Sequence, residues 1–328
     1  QNHQLVNSVS LQGFHFLQCI KMLEVCRGDF MKNIIYLSNT SAQLVSGVCN
    51  GSNQIDISDF QDYQLPEGTM LDGAIMDEDA LKDVLRIINK KGIGDCKLVI
   101  DSGQIVHKNL IVPKIKDKEI HAIVKEEIDS LENGEHDLIY DYTILKDKLV
   151  DKPGIEILCC AMKKQMIEDY LNIFDDVGIE ITAIDISLNA IDKLIEDIIR
   201  LSQRNFVIAV INGNDIALYL FEEGKYVFSN RSRLFSERGS SSFTMEVSNI
   251  LIKFKQFIKT ADYNQNIERV YFCGLDDYEE KMLFEVVSDS VDIRAMRLAN
   301  SNTIYYSGNS KEFLLHKYVY AIGSLCER

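Results

Sequence analysis

Ile34-Ile35-Tyr36-Leu37-Ser38-Asn39-Thr40-Ser41-Ala42-Gln43-Leu44-Val45 is an apolar run, a turn of small polar residues and a second apolar run. That order predicts a β-hairpin: apolar runs pair as strands, and Ser, Asn and Thr bond back to the backbone in turns. The same device returns at Phe206-Val207-Ile208-Ala209-Val210-Ile211-Asn212-Gly213-Asn214-Asp215-Ile216-Ala217-Leu218. Outward from the first hairpin, strands are expected at 33–37, 42–49 and 54–60, then a helix over 77–90 with Leu81, Val84, Leu85 and Ile88 on one face. Strands 97–101 and 105–112 follow, the latter ended by Pro113, which cannot donate to a ladder. Outward from the second lie strands 206–211, 216–221 and 226–229 and a helix carrying Val247, Ile250, Leu251, Phe254, Phe257 and Ile258. A strand 269–273, a helix near 278–287 and a closing helix from Lys311 complete it. Both halves therefore read as a three-strand meander followed by a helix and a strand, a structural repeat without a sequence repeat. A duplicated α/β architecture of nucleotide-binding type is the expectation.

Between the halves lies a small α/β unit that reads as inserted, at about 113–180. It has a helix over 118–131, strands 137–145 and 154–162, a helix 164–174 and a strand 180–184. Asp185 and Ser187 read as caps of the next helix, which carries Leu188, Ile191, Leu194, Ile195 and Ile198. The expected organisation is a leader 1–30, a first domain 31–204 containing the insertion, and a second domain 205–328.

The composition limits the function. An apolar fraction of 46% with 26% charged residues is that of a folded globular chain, and 328 residues suffice for two domains. A formal charge of −15 argues against nucleic acid, whose phosphates need clustered Lys and Arg, and against direct binding to an anionic membrane. The eight cysteines are scattered, without the two-residue spacing of zinc or redox motifs, and read as reduced core residues of a cytosolic protein. The six histidines are equally dispersed, so a metal site has no support. No apolar run reaches the roughly 20 residues of a membrane span. The leader lacks a basic start and a small-residue cleavage site, so it is a poor signal peptide. Arg27-Gly28-Asp29-Phe30 precedes Met31, and Gly-Asp can be encoded by a ribosome-binding sequence, so Met31 is expected to be the native start.

Taken singly, either hairpin turn is a bare turn, and Glu126-Glu127 and Asp276-Asp277 are solvated helix-end charges. No nucleophile triad, Walker loop or dinucleotide fingerprint is present. In their order along the chain, however, several segments resemble a known family. They are Ile111-Val112-Pro113 leading to Glu119 and Val124-Lys125-Glu126-Glu127-Ile128, then Asp141-Tyr142-Thr143-Ile144-Leu145, then Ile157-Leu158-Cys159-Cys160-Ala161-Met162-Lys163-Lys164. Asp176-Val177-Gly178-Ile179 and Tyr318-Val319-Tyr320-Ala321-Ile322-Gly323 follow. Over 31–328 the chain is similar to the PilM-like proteins of type IV pilus assembly, FtsA-like members of the actin-like ATPase superfamily. The resemblance implies a duplicated actin-like (ribonuclease H-like) bilobal fold with a small α/β subdomain inserted in the first half.

It also places a nucleotide cleft. Its positions here are Ser38, Asn39, Thr40 and Ser41 in the first phosphate turn, Asn212, Gly213 and Asn214 in the second, and Gly239 and Gly274 at the adenosine side. In the superfamily the first turn carries an aspartate that positions Mg²⁺, a glycine and often a lysine; here Tyr36, Ser38 and Gln43 stand there. Ile211 replaces the second acid, Asp215 falls out of register, and Leu275 follows Gly274 where close approach is needed. Without those acids phosphoryl chemistry lacks its charge neutralisation, so the site reads as degenerate, with no cofactor. The resemblance then implies a cytoplasmic scaffold at the inner face of the membrane. It would bind the N-terminal cytoplasmic peptide of a PilN-like inner-membrane protein and possibly other pilus assembly proteins, with the edge His107 to Val112 as candidate contact and membrane association through the partner only. The alternatives are an active ATPase with Mg²⁺-ATP in the cleft, or a small-molecule kinase of the same superfamily, for which no catalytic acid is marked.

Overall fold

The computed structural model describes residues 31–50, 54–131, 137–149, 153–198, 201–261, 267–307 and 312–326. The expected leader 1–30, with Cys19 and Cys26, lies outside them.

The first hairpin is β1 (Lys32–Leu37) with β2 (Ser41–Asn50), and β3 (Gln54–Gln64) continues the meander. A two-stranded ribbon, β4 (Met70–Leu71) and β5 (Ala74–Ile75), leads to α1 (Glu78–Asn89), whose N-cap Asp77 accepts from the Ala80 amide at 3.0 Å. Then come β6 (Asp95–Ile100), β7 (Val106–Val112), α2 (Asp117–Leu131), β8 (Leu138–Lys146), β9 (Ile155–Lys163), α3 (Lys164–Asp176), β10 (Glu180–Ile186) and α4 (Ser187–Glu196). The second half has β11 (Phe206–Asn212), β12 (Asp215–Glu222), β13 (Lys225–Arg233), α5 (Ser241–Thr260), β14 (Arg269–Cys273), α6 (Asp277–Val291), β15 (Arg294–Arg297) and β16 (Ile304–Tyr306). A 3-10 turn, Leu315–Lys317, precedes α7 (Val319–Leu325).

The repeat is visible in the sheets. The first runs β10-β6-β1-β2-β3-β16 and the second β13-β12-β11-β14-β15. In each, the hairpin is antiparallel and the following strands add in parallel beside the hairpin's first strand. That strand is covered on both faces, which is why β1 and β11 read as unbroken apolar runs. Along β11 the side chains alternate: Phe206, Ile208 and Val210 join the core around α4 and α7, while Val207, Ala209 and Ile211 join the core under α5 and α6.

The helices α4 and α7 hold equivalent places at the ends of the two repeats and pack on each other. Their approach requires Gly323, because a Cβ there would stand 1.9 Å from the Ala190 carbonyl oxygen. The closing helix expected from Lys311 begins only at Val319, after the 3-10 turn Leu315–Lys317, and Lys311 itself lies outside the described residues.

The sheet connectivity departs from the expected insertion at 113–180. A three-stranded sheet β7-β9-β8 with α2 on one face forms its own small core, so the unit spans 106–163. The strand before Pro113 belongs to it, whereas β10 pairs in parallel with β6 in the main sheet. Alternation along the chain cannot say which sheet a strand joins, and that decides the boundary. β16, too short for any periodicity, carries the second half across to pair with β3 of the first sheet.

Asp185 and Ser187 are not caps. The N-cap of α4 is Ile186, with no side-chain bond. Asp185 is buried and accepts from Lys193 Nζ at 2.6 Å, Ser324 Oγ at 2.9 Å and Asn189 Nδ2 at 2.7 Å, with Lys97 Nζ at 3.0 Å. Burial opposes its charge, but Lys193 and Lys97 outweigh it and hold the carboxyl well below the usual range. Asp276, expected to be a solvated charge, caps α6 in a reciprocal box with Glu279.

Candidate functional site

The two hairpin turns face each other at the seam between the halves. In the first, Ser38 Oγ accepts from the amides of Thr40 at 3.2 Å and Ser41 at 2.9 Å, and donates to the Ser41 carbonyl at 3.0 Å. Backbone N–H groups that converge in this way are what a phosphate needs. Here the turn's own hydroxyl takes them.

Asn39 joins three segments. Its Nδ2 donates to Asp215 Oδ2 at 2.8 Å, and its Oδ1 accepts from the Asp72 amide at 2.7 Å. Thr40 packs on Gly213, where a Cβ would come within 2.8 Å of Thr40 Cγ2 and where φ is +55°. The second turn is thus pressed against the first, and glycine permits both the contact and the backbone. Ser41 opens β2 as a buried residue, and the Asn214 carbonyl accepts from Leu234 N at 2.7 Å.

Behind the turns lies an aromatic and ionic cluster. Tyr36 is buried, its ring 5.1 Å from that of Tyr320, and its hydroxyl accepts from Asn212 Nδ2 at 2.5 Å. Tyr320 shares a hydroxyl contact of 2.8 Å with Tyr219. Burial, with Asp101 beside it, pushes the Tyr36 phenol well up, so it remains neutral. Arg231 of β13 reaches across the seam to Asp101 at 2.5 Å and Asp72 at 3.9 Å, and pairs with Asp215 of its own half at 3.3 Å. Burial opposes the guanidinium charge, and Asp101 and Asp215 more than offset it. Asp101 also accepts from Ser187 Oγ at 2.8 Å.

The expected adenosine side is held by a second arginine. Arg238 donates to the carbonyls of Gly213 at 3.3 Å and Gly274 at 2.9 Å and pairs with the buried Glu279 at 2.5 Å. Its guanidinium lies over the Phe243 ring. Gly274, at φ +80°, serves backbone packing: a Cβ would fall 2.0 Å from the Ile211 carbonyl oxygen, and its amide donates to the His316 carbonyl at 2.9 Å. Gly239, at φ +73°, turns the chain into α5 beside the Tyr278 ring. Gln43 donates to the Lys317 carbonyl at 3.0 Å.

The structure thus brings Ser38 to Ser41 and Asn212 to Asn214 to one seam, with Gly274 against the Ile211 backbone and Gly239 beside α6. Sequence reasoning missed Asp101, Arg231, Arg238 and Glu279. Asp215, expected out of register, directs its carboxylate into the seam from the first position of β12, opposite Asn212. One signal pointed to Asp101: it follows the buried parallel strand β6, and groups at the carboxyl ends of parallel strands line the crevices of α/β sheets. Nothing in the sequence marked the arginines. Among the described residues no group of His, Cys, Asp or Glu is arranged to hold a metal, and no helix is long and apolar enough to cross a membrane.

These features define an actin-like fold: duplicated five-strand units, a seam lined by paired hairpin turns, and a small subdomain inserted in the first half. One comparison with a solved structure bears this fold out. A solved structure described as a PilM–PilN type IV pilus biogenesis complex superposes with a TM-score of 0.74 at 12% identity, covering 91% of this chain and 97% of that one. An actin-like ATPase-fold protein of unknown function from Bacteroides thetaiotaomicron gives a TM-score of 0.49 at 12% identity, over 84% and 93% of the two chains. The cytoplasmic domain of EpsL, from the type II secretion system of Vibrio cholerae, gives 0.44 at 8% identity, over 90% and 95%. No protein of curated function matches. The sequence model of the type IV pilus assembly protein PilM matches residues 35–240, and the chain belongs to that family.

Proposed function

We propose that this protein is a non-enzymatic adaptor of type IV pilus assembly. In this reading it works on the cytoplasmic side of the inner membrane and binds the N-terminal cytoplasmic peptide of a PilN-like membrane protein. Its interdomain seam is a fixed joint, in place of a nucleotide-driven hinge. The observation that carries the reading is the state of the seam: its turn amides are spent on Ser38, and Arg231 and Asn39 bind residues of both halves across it. A triphosphate finds few free donors here, since Ser38 Oγ already accepts from the turn amides of Thr40 and Ser41 and Thr40 is packed against Gly213. Family membership and likeness to a protein solved with PilN support the partner class.

For the peptide contact, β7 is an outer strand of its sheet and Ile111 is 52% exposed. An extended peptide adds readily to such an edge, with backbone bonds giving affinity and side-chain pockets specificity. Isothermal titration with the N-terminal peptide of the PilN-like protein tests the reading, with an expected Kd in the micromolar range and loss on Ile111→Asp. No heat of binding at tens of micromolar peptide would refute it. A parallel thermal scan with Mg²⁺-ATP at millimolar concentration is expected to show no shift. A ligand specific for the folded state would raise the melting temperature, and such a rise would replace the adaptor reading with that of a nucleotide-binding protein.

A further inference from the structure

β13 ends the second sheet, bonded to β12 alone. The two-residue turn Gly213-Asn214 makes Asn212 and Asp215 a bonded pair, and bonded and non-bonded pairs alternate along an antiparallel ladder. Ile216, Leu218 and Leu220 therefore bond to Ser232, Asn230 and Phe228, while the backbone groups of Ser229, Arg231 and Arg233 point away from the sheet. Among the described residues no strand pairs with them. A register shift beside Val227 ends this edge, and there the Val227 carbonyl accepts from Asn109 Nδ2 of β7 at 3.4 Å. Helix α5 covers one face of the strand. Phe228 faces it, 5.0 Å from the Phe257 ring, so Asn230 and Ser232 face it too. A shallow groove of 560 Å³ lies there, lined by Ser232 and Arg233 of β13 and by Met245, Ile250 and Lys253 of α5. Met245 is 63% and Phe257 46% exposed. Glu246, the acid in the groove, is committed to the amides of Phe235 at 3.0 Å and Ser236 at 2.9 Å. Arg233 and Lys253 are exposed, two cations on one groove of a chain whose net charge is −15.

We propose that β13 is a docking strand for an extended segment of a partner protein, one that carries apolar and acidic residues at alternate positions. The segment adds antiparallel over 229–233. Its residues opposite Ser229, Arg231 and Arg233 exchange backbone bonds with them. Those opposite Asn230 and Ser232 set their side chains on α5, an apolar one against Ile250 and Met245 and an acidic one beside Arg233 and Lys253. Backbone pairing supplies affinity, and the two cations select the charge. A second copy of this chain is a poor occupant, because pairing two such edges would set Arg231 and Arg233 against their own copies. The site belongs to the second half and is separate from the β7 contact.

The test uses the full chain and a synthetic peptide, acetyl-Thr-Val-Thr-Glu-Thr-Val-Thr-amide, with hydrogen exchange and calorimetric titration as readouts. Saturable binding is expected below about 1 mM peptide, with slowed exchange confined to 228–234. The analogue with Lys in place of Glu should bind about tenfold more weakly, and the double variant Arg233→Glu with Lys253→Glu should reverse that preference. The threonine nitrogens of the docked peptide face β13 and the valine nitrogens face away. N-methylation of the central threonines should therefore abolish binding, and N-methylation of the valines should leave it. No binding at about 1 mM would overturn the proposal. So would slowed exchange at another edge in place of 228–234, equal affinity for the Glu and Lys peptides, or binding that survives methylation of the threonines.

Discussion

Replacing Asp185 with asparagine tests how the two halves are held together. The side chain is 1% exposed and keeps its place between Lys193, 6% exposed, and Lys97, 12% exposed, while also accepting from Ser324 of α7. Asparagine nearly preserves the volume and removes the charge. Lys193 is then a buried cation without a counter-ion, and breaking a buried pair from one side costs about 3–5 kcal/mol. For a chain of this size that corresponds to a fall of roughly 4–8 °C in melting temperature. The measurement is urea unfolding at pH 7 by circular dichroism, comparing midpoints at unchanged slope. The double variant Asp185→Leu with Lys193→Met should recover part of the loss, since it removes the more deeply buried cation and leaves Lys97, 12% exposed, in place. The same carboxyl predicts a pH dependence. Its folded-state pKa lies below its unfolded value, so its contribution is complete above an unfolded carboxylate pKa of about 3.9 and fades as pH falls below it. The wild type should therefore lose stability below pH 4 more steeply than Asp185→Asn. A loss below about 1 kcal/mol for the single variant, or parallel acid profiles, would refute this account.

Arg231→Gln leaves Asp101 and Asp215 facing each other across the seam without their cation. A loss of about 2–4 kcal/mol is expected, with faster hydrogen exchange at the β1–β2 and β11–β12 turns; exchange unchanged at both turns would show that Arg231 does not hold the joint. Gly323→Ala forces α7 away from Ala190, and a loss of at least about 2 kcal/mol in denaturant unfolding is expected. Tyr36→Phe removes the acceptor of the Asn212 side-chain amide and the donor to Asp101 at 3.5 Å, and should cost about 1–2 kcal/mol in the same assay, without gain of nucleotide binding in a thermal scan.

Strand runs, helix faces and the repeat were legible in the sequence because they depend on neighbours. The apolar stretch before Ser38 and the spacing of Leu81, Val84, Leu85 and Ile88 carry their own periodicity, and the structure buries those residues as that periodicity requires. The order of these elements was enough to reach the fold and the family. What the seam contains was not legible. Asp101 and Arg231 lie far apart along the chain, and Asp215 reads as an ordinary first strand residue. Asp185 looks like a cap until the sheet buries it between two lysines. The edges of the inserted unit were misplaced for a related reason: alternation shows that a strand exists and does not name its partner. By itself the sequence thus determined the elements and their order. Only the tertiary structure decided that Arg231, Arg238 and Tyr320 gather behind the two turns, because which charges and rings meet is set by the packing of the two sheets through α4 and α7, at separations no local pattern spans.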